Sequence, residues 1–121
     1  MSISVIDYGS GNLKSAAKAL EAAANNININ SKIVVTSDPK IIKKSDKIVL
    51  PGQGSFRDCY LGINKIPGLV EALNEFVLEK KKPILGICVG MQLFAKIGYE
   101  SRETKGFGWI EAEVRKIYNM N

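Results

Sequence analysis

The chain has 121 residues, and its 17 basic and 12 acidic side chains give a formal net charge of +5. A hydrophobic content of 45% is ordinary for a globular protein, the length allows one domain, and no apolar run approaches the ~18 residues that a membrane-spanning helix needs. The lysine clusters lack interleaved aromatic residues, so we interpret them as solvated surface rather than a nucleic-acid site. With no basic leader before an apolar segment, and two cysteines in no disulfide framework, we predict a cytoplasmic protein.

Strand-like and helix-like hydrophobic patterns alternate along the chain. Strands are predicted at residues 2–7, 32–36, 47–50 and 83–87, and a half-exposed strand is predicted at 110–115 after a glycine-rich turn. Helices are predicted at 13–24, 38–45 and 69–77, and after residue 88, where apolar residues at helical spacing continue to residue 97. The run at 83–87 is apolar throughout, which is typical of a buried parallel strand.

Strands separated by helices predict an α/β fold with a mostly parallel sheet flanked by helices and right-handed crossovers. In such sheets, sites form at the carboxyl ends of strands. Three loops qualify: DYGSGN at 7–12, PGQGSF at 51–56, and the turn at Cys88. The first loop has Lys14 where a dinucleotide motif needs its third glycine, and the chain contains no phosphate loop or zinc-ligand pattern. We therefore predict neither a cofactor nor a metal.

The turn at Cys88 has the pattern of a nucleophile elbow, since an apolar strand runs directly into a helix at the cysteine. Such a turn lifts the side chain above the sheet and tolerates no bulk on either side, which favours Gly86 and Gly90. The NH of Val89 faces the same space and is predicted to stabilise an oxyanion. The alternative is a buried structural cysteine, the commoner role of an isolated cysteine.

The PGQG segment ends a predicted strand of the same sheet, so its backbone is expected to face the Cys88 sulfur. Glycines in this segment allow NH groups to approach a substrate closely. We interpret the NH groups of Gly52 and Gln53 as the second half of an oxyanion hole, with Val89 providing the first. The alternative is a tight turn with no catalytic role, which PG and GS dipeptides favour.

Four segments together carry a family resemblance: DYGSGN, LPGQGSF, GICVGMQLF and GFGWIEAEV. They resemble the class I glutamine amidotransferases and, within that family, the glutaminase subunits of imidazole glycerol phosphate synthase. The GxCxG elbow alone indicates only the wider superfamily, whereas DYGxGN with GMQ after the elbow narrows it to these subunits. The resemblance spans nearly the whole chain and implies a flavodoxin-like α/β domain, of which residues 1–121 are the N-terminal part.

The resemblance also implies an activity and the residues that carry it. Cys88 matches the nucleophile that attacks the side-chain amide of glutamine, and Gln92 and Gly54 match positions that hold this substrate. The released ammonia is implied to pass to a (β/α)₈-barrel cyclase subunit for imidazole glycerol phosphate formation in histidine biosynthesis. Asn12 matches a residue that faces this partner in a heterodimer. Its alternative role is a helix N-cap, and the two roles are compatible.

The chain departs from the family pattern in one respect. The family's catalytic triad also needs a His and a Glu on a later motif, and this chain contains no histidine. We therefore expect residues 1–121 to be a domain that is incomplete at its C-terminus and nearly inactive alone, because general acid–base catalysis contributes about 10²–10⁴-fold. The glutaminase of another synthase, a redox or hydrolase module and a noncatalytic binding module remain alternatives.

Overall fold

The computed structural model describes residues 1–100 and 102–117. Its seven described strands are β1 (Ser2–Ile6), β2 (Lys32–Thr36), β3 (Lys47–Gly52), β4 (Ile84–Cys88), β5 (Ala95–Tyr99), β6 (Glu103–Lys105) and β7 (Ile110–Val114). Its described helices are α1 (Leu13–Asn26), α2 (Pro39–Lys44), α3 (Phe56–Asn64), α4 (Leu69–Asn74) with a π-helical continuation at Glu75–Glu79, and α5 (Val89–Gln92). No helix in these two ranges is long and apolar enough to cross a membrane.

The central sheet has four strands in the order β2-β1-β3-β4, all of them parallel. This confirms the predicted α/β class, and the strand order matches the first four positions of a flavodoxin-like sheet. After β1 the chain forms β2 on one side of β1, at the edge of the sheet. It then crosses over and forms β3 on the opposite side of β1. The carboxyl ends of β1 and β3 therefore flank the point where the strand order reverses, and a crevice is expected there.

A smaller sheet of the order β6-β5-β7 follows the central one, with β5 antiparallel to β6 and parallel to β7. The prediction that the helix after Cys88 continues to residue 97 is wrong. The helix after Cys88 ends at Gln92, and Ile97 lies in β5, where it pairs with Lys105 and Glu113. Pairing with two strands from later in the chain overrides the local helical spacing, because a short apolar run suits either element.

The predicted burial of strand 83–87 is also wrong. The side chains of Leu85 and Ile87 are 55% and 40% exposed. The reason is position, because β4 is the edge strand among the four described strands and has only β3 beside it. β7 is a strand as predicted, but of its five residues only Val114 is partly buried.

The main core lies between the central sheet and helices α2 to α4. Helix α3 was not predicted, although it contributes three buried side chains at helical spacing, Phe56, Cys59 and Ile63. It is capped by Ser55, whose hydroxyl accepts from the Asp58 NH at 3.0 Å. β3 also continues through Pro51 to Gly52, beyond its predicted end, and this extension carries the PGQG backbone up to the Cys88 turn.

Candidate functional site

Cys88 is both the last residue of β4 and the N-cap of α5. Its backbone has φ 55° and ψ −125°, a conformation that costs a residue with a side chain roughly 1–3 kcal/mol. Its thiol is free and exposed, which contradicts the alternative of a buried structural cysteine. The strained, exposed turn has the geometry predicted for a nucleophile elbow.

The glycines beside the elbow are crowded by backbone atoms. A Cβ at Gly86 would lie 2.5 Å from the Cα of Met91, and one at Gly90 would lie 2.0 Å from the carbonyl oxygen of Leu50. A Cβ at Gly52 would lie 2.5 Å from the Gly90 nitrogen. The end of β3 and the first turn of α5 are thus in backbone contact, and only glycine fits at these three positions.

A cavity of about 380 Å³ opens at the carboxyl ends of β1, β3 and β4. Four of the residues that sequence analysis selected line it together: Asn12, Gly52, Gln53 and Cys88. The cavity lies at the reversal of strand order described above, where open α/β sheets bind their ligands. Cys88 and the PGQG segment therefore line one space.

Two side chains of the DYGSGN loop hold the PGQG backbone in place. The Tyr8 hydroxyl is buried and donates to the Pro51 carbonyl oxygen at 2.5 Å, and this burial raises the pKa of Tyr8 above its usual range. The Ser10 hydroxyl accepts from the Gln53 NH at 2.9 Å and donates to the Gln53 carbonyl oxygen at 2.7 Å. The structure thus gives the Gln53 NH a partner within the protein.

Sequence analysis did not select Tyr8 or Ser10. The available signal was their position, because a loop that follows β1 must lie beside the loop that follows β3 in a parallel sheet. Asn12, two residues further on, caps α1 as the alternative interpretation predicted, with its Oδ1 accepting from the Ser15 NH at 3.2 Å.

The other selected residues lie around the elbow. Val89 begins α5, so its NH is one of the first-turn amides that have no acceptor within the helix. Gly54 follows Gln53 with φ 101° and open space where a Cβ would be. Gln92 lines a second cavity, of about 220 Å³, between α5 and the smaller sheet.

Glu100 also lines this second cavity and was missed by sequence analysis. Its carboxylate accepts from the Phe56 NH at 3.0 Å, which fixes one oxygen at the start of α3. Glu100 directly follows β5, which was predicted as helix, so no sequence pattern placed it in one cavity with Gln92. The cavity has charged side chains of both signs, because Arg115 and Lys116 line it together with Glu100.

The described residues contain no group of three or more His, Cys, Asp or Glu side chains placed to hold a metal ion. The other cysteine, Cys59, is 1% exposed and lies in the core, with its sulfur 3.4 Å from the Ser10 hydroxyl. Of the two thiols, Cys88 is the one that faces the solvent.

Comparison with known proteins gives one family model that matches most of the chain, and individual relatives that are about half identical to it. The family model for class-I glutamine amidotransferases matches residues 4–117. Proteins called imidazole glycerol phosphate synthase subunit HisH are similar to the chain: that of Pelagibacter ubique is 53% identical over 122 residues, covering 100% of this chain and 57% of the relative. Those of Brucella suis and Rhodopseudomonas palustris are 50% and 51% identical, each over 97% of this chain and 54% of the relative. The chain thus spans about half the length of the curated relatives it matches.

Proposed function

The chain belongs to the class I glutamine amidotransferase family, and on that premise we propose that it is the N-terminal part of a glutaminase domain. The proposed reaction is hydrolysis of glutamine to glutamate and ammonia. The specific role is that of the glutaminase subunit of imidazole glycerol phosphate synthase in histidine biosynthesis. The relatives that are about 50% identical over nearly the whole chain support this choice over the glutaminases of other synthases.

The observation that carries the proposal is the exposed thiol of Cys88 on a strained elbow, in one cavity with Gly52 and Gln53. In the proposed reaction the Cys88 sulfur attacks the carboxamide carbon of glutamine, and the amide nitrogen leaves as ammonia after gaining a proton. The resulting γ-glutamyl thioester is attacked by water, which releases glutamate and restores the thiol.

Each tetrahedral intermediate carries a negative oxygen, which backbone NH groups would stabilise. We assign this role to Val89 on α5 and to the Gly52–Gln53 segment, which is in backbone contact with α5 through Gly90. Gln92 and Gly54 are proposed to hold the substrate.

Proton transfer in this scheme needs a base, which the resemblance assigns to a His held by a Glu. None of the 121 residues is a histidine. We therefore propose that residues 1–121 form one part of a single domain and that this pair comes from the part of the relatives that the chain does not span. The roughly 10²–10⁴-fold contribution of acid–base catalysis would depend on that part.

We further propose that the ammonia passes to a cyclase subunit with a (β/α)₈-barrel fold, and that Asn12 faces this partner. The position of Asn12, at the start of α1 and on the rim of the Cys88 cavity, supports a role next to the ammonia source. A cytoplasmic location fits the two free thiols, since a reducing compartment preserves them.

The proposal is tested by replacing Cys88 in the complete protein and measuring two reactions with the cyclase partner. Cys88→Ala should lower glutamine-dependent synthesis by about 10³-fold or more, because no other group can form the thioester. Synthesis from added ammonia should be unchanged, because that reaction bypasses the thiol. Equal loss of both reactions would show that Cys88 has a structural role, and retained glutamine turnover would contradict the proposal.

A further inference from the structure

The cavity that Gln92 lines has a closed inner end. Of the residues that line this cavity, Phe56 and Gly98 are the two that are buried, and the Phe56 side chain is only 2% exposed. The other lining residues, Gln92 among them, are half-buried or exposed. The inner end therefore consists of one aromatic ring and one residue without a side chain.

The Phe56 ring lies directly against Gly98 in β5. A Cβ at Gly98 would lie 2.6 Å from two ring carbons of Phe56, and a Cβ at Gly106 would lie 3.0 Å from the Cζ of the same ring. Gly98 does not have a positive φ, so the ring and not the backbone conformation requires glycine at this position. The Phe56 NH, at the start of α3, donates to the Glu100 carboxylate at 3.0 Å. The ring is thus fixed between α3 and β5.

The two ends of the proposed substrate lie on opposite sides of α5. Cys88 lines the first cavity and Gln92 lines the second. These two residues are four positions apart, which corresponds to a rise of about 6 Å along a helix. A substrate that Gln92 holds and the Cys88 sulfur attacks has to span this distance. Its length is therefore limited by the sulfur at one end and by the Phe56 ring at the other.

We propose that Phe56, packed on Gly98, is a specificity-determining residue that selects the length of the amide substrate. The proposal rests on the proposed glutaminase function and names a determinant of its specificity. The ring excludes amino-acid amides whose side chain is one methylene longer than that of glutamine. A cavity of fixed size discriminates one methylene by about 10–200-fold, and a buried ring held from two sides provides such a fixed boundary.

The test measures the glutamine preference of the complete protein with its cyclase partner. This preference is the ratio of kcat/KM for glutamine to kcat/KM for the amide that is one methylene longer. Phe56→Leu shortens the side chain at the inner end but keeps the main-chain NH that holds Glu100. The longer amide then fits, and the preference should fall about tenfold.

Gly98→Ala should change the preference in the opposite direction. Its Cβ would lie 2.6 Å from the Phe56 ring, which has to move toward the cavity. The preference should rise, and KM for glutamine should rise severalfold. Phe76→Leu is the matched control, because it makes the same substitution at a ring that is 0% exposed and does not line this cavity. It should leave the preference at the wild-type value.

Urea unfolding shows whether each variant is folded. If Phe56→Leu does not fold, Phe56→Met, whose flexible side chain fills more of the space, takes its place with the same expected fall. An unchanged preference in the folded Phe56 and Gly98 variants, or an equal change in Phe76→Leu, would overturn the inference. A wild-type protein that turns over no glutamine with its partner would contradict the proposed function instead, and this outcome is distinct from an active wild type whose preference these variants do not alter.

Discussion

Cys88 was predictable from sequence because its neighbours are informative. A cysteine between Gly86 and Gly90, directly after an apolar strand, indicates a tight turn. Crowding by backbone atoms explains why both of these positions are glycine. The parallel sheet predicts that the DYGSGN loop lies beside PGQG, but not the individual hydrogen bonds of Ser10 and Tyr8 to PGQG. They join residues more than 40 positions apart, and the register between β1 and β3 that brings them together is set by the whole sheet.

Gly90 provides a direct test of the crowding at the elbow. Gly90→Ala should lower the free energy of unfolding by about 3 kcal/mol or more, because the new Cβ would lie 2.0 Å from the Leu50 carbonyl oxygen and backbone atoms must move. Gly108→Ala is the matched control, since Gly108 has φ 71° but open space, and its cost should be about 1–2 kcal/mol. Urea unfolding measures both. Equal losses would mean that the elbow is not packed against β3 as described.

At the scale of elements, the sequence predicted those parts whose hydrophobic pattern is long or clearly bounded. The boundaries of β2 match the prediction, and α1 and α2 begin at their predicted caps, Asn12 and Asp38. Helix α3 was missed although its buried residues have helical spacing, because its first buried residue, Phe56, was assigned to the PGQGSF loop. β5 was predicted as helix because its state depends on pairing with β6 and β7, which no local pattern reveals.

Asp46 joins β1 to the connection between α2 and β3, and this contact should make stability depend on pH. The Ser2 NH donates to its carboxylate at 2.8 Å, and this backbone hydrogen bond is the main cause that lowers the Asp46 pKa below its usual range. A lowered pKa in the folded state adds stability above the unfolded value, and that stability is lost as the pH falls through the folded value.

The expected result is a stability difference between the wild type and Asp46→Asn that is constant near neutral pH and shrinks below about pH 4. The Asn variant keeps a side-chain oxygen that can accept from Ser2 but does not titrate in this range. Thermal unfolding at a series of pH values measures the difference. A difference that grows as the pH falls would show that the carboxylate destabilises the folded state.

At the scale of the whole molecule, the smaller sheet is joined to the core by aromatic side chains at the start of β7. Phe107 and Trp109 stack with ring centroids 4.4 Å apart, and Trp109 also packs against Phe94. The Trp109 indole NH donates to the Asn74 side-chain oxygen at 2.8 Å, across to the end of α4. These contacts predict that the two sheets unfold together.

Trp109 is the only tryptophan, so its fluorescence reports on this junction. Asn74→Ala should cost about 1 kcal/mol, because the indole NH loses its partner in a partly buried site, and it should shift the Trp109 emission to longer wavelength. Asn64→Ala is the control, since it removes an exposed hydrogen bond within α3 and should change stability by less than about 0.5 kcal/mol. An unshifted emission in Asn74→Ala would contradict the described contact.

The central claim is that the Cys88 thiol is positioned to attack the carboxamide carbon of glutamine. The most direct measurement is covalent labelling of the complete protein by a chloroketone analogue of glutamine, with the modified cysteine identified by peptide mass spectrometry. We predict modification at Cys88 alone, slowed by added glutamine, with the buried Cys59 unlabelled as an internal control. Labelling that glutamine does not slow, or labelling at Cys59 in place of Cys88, would contradict the account.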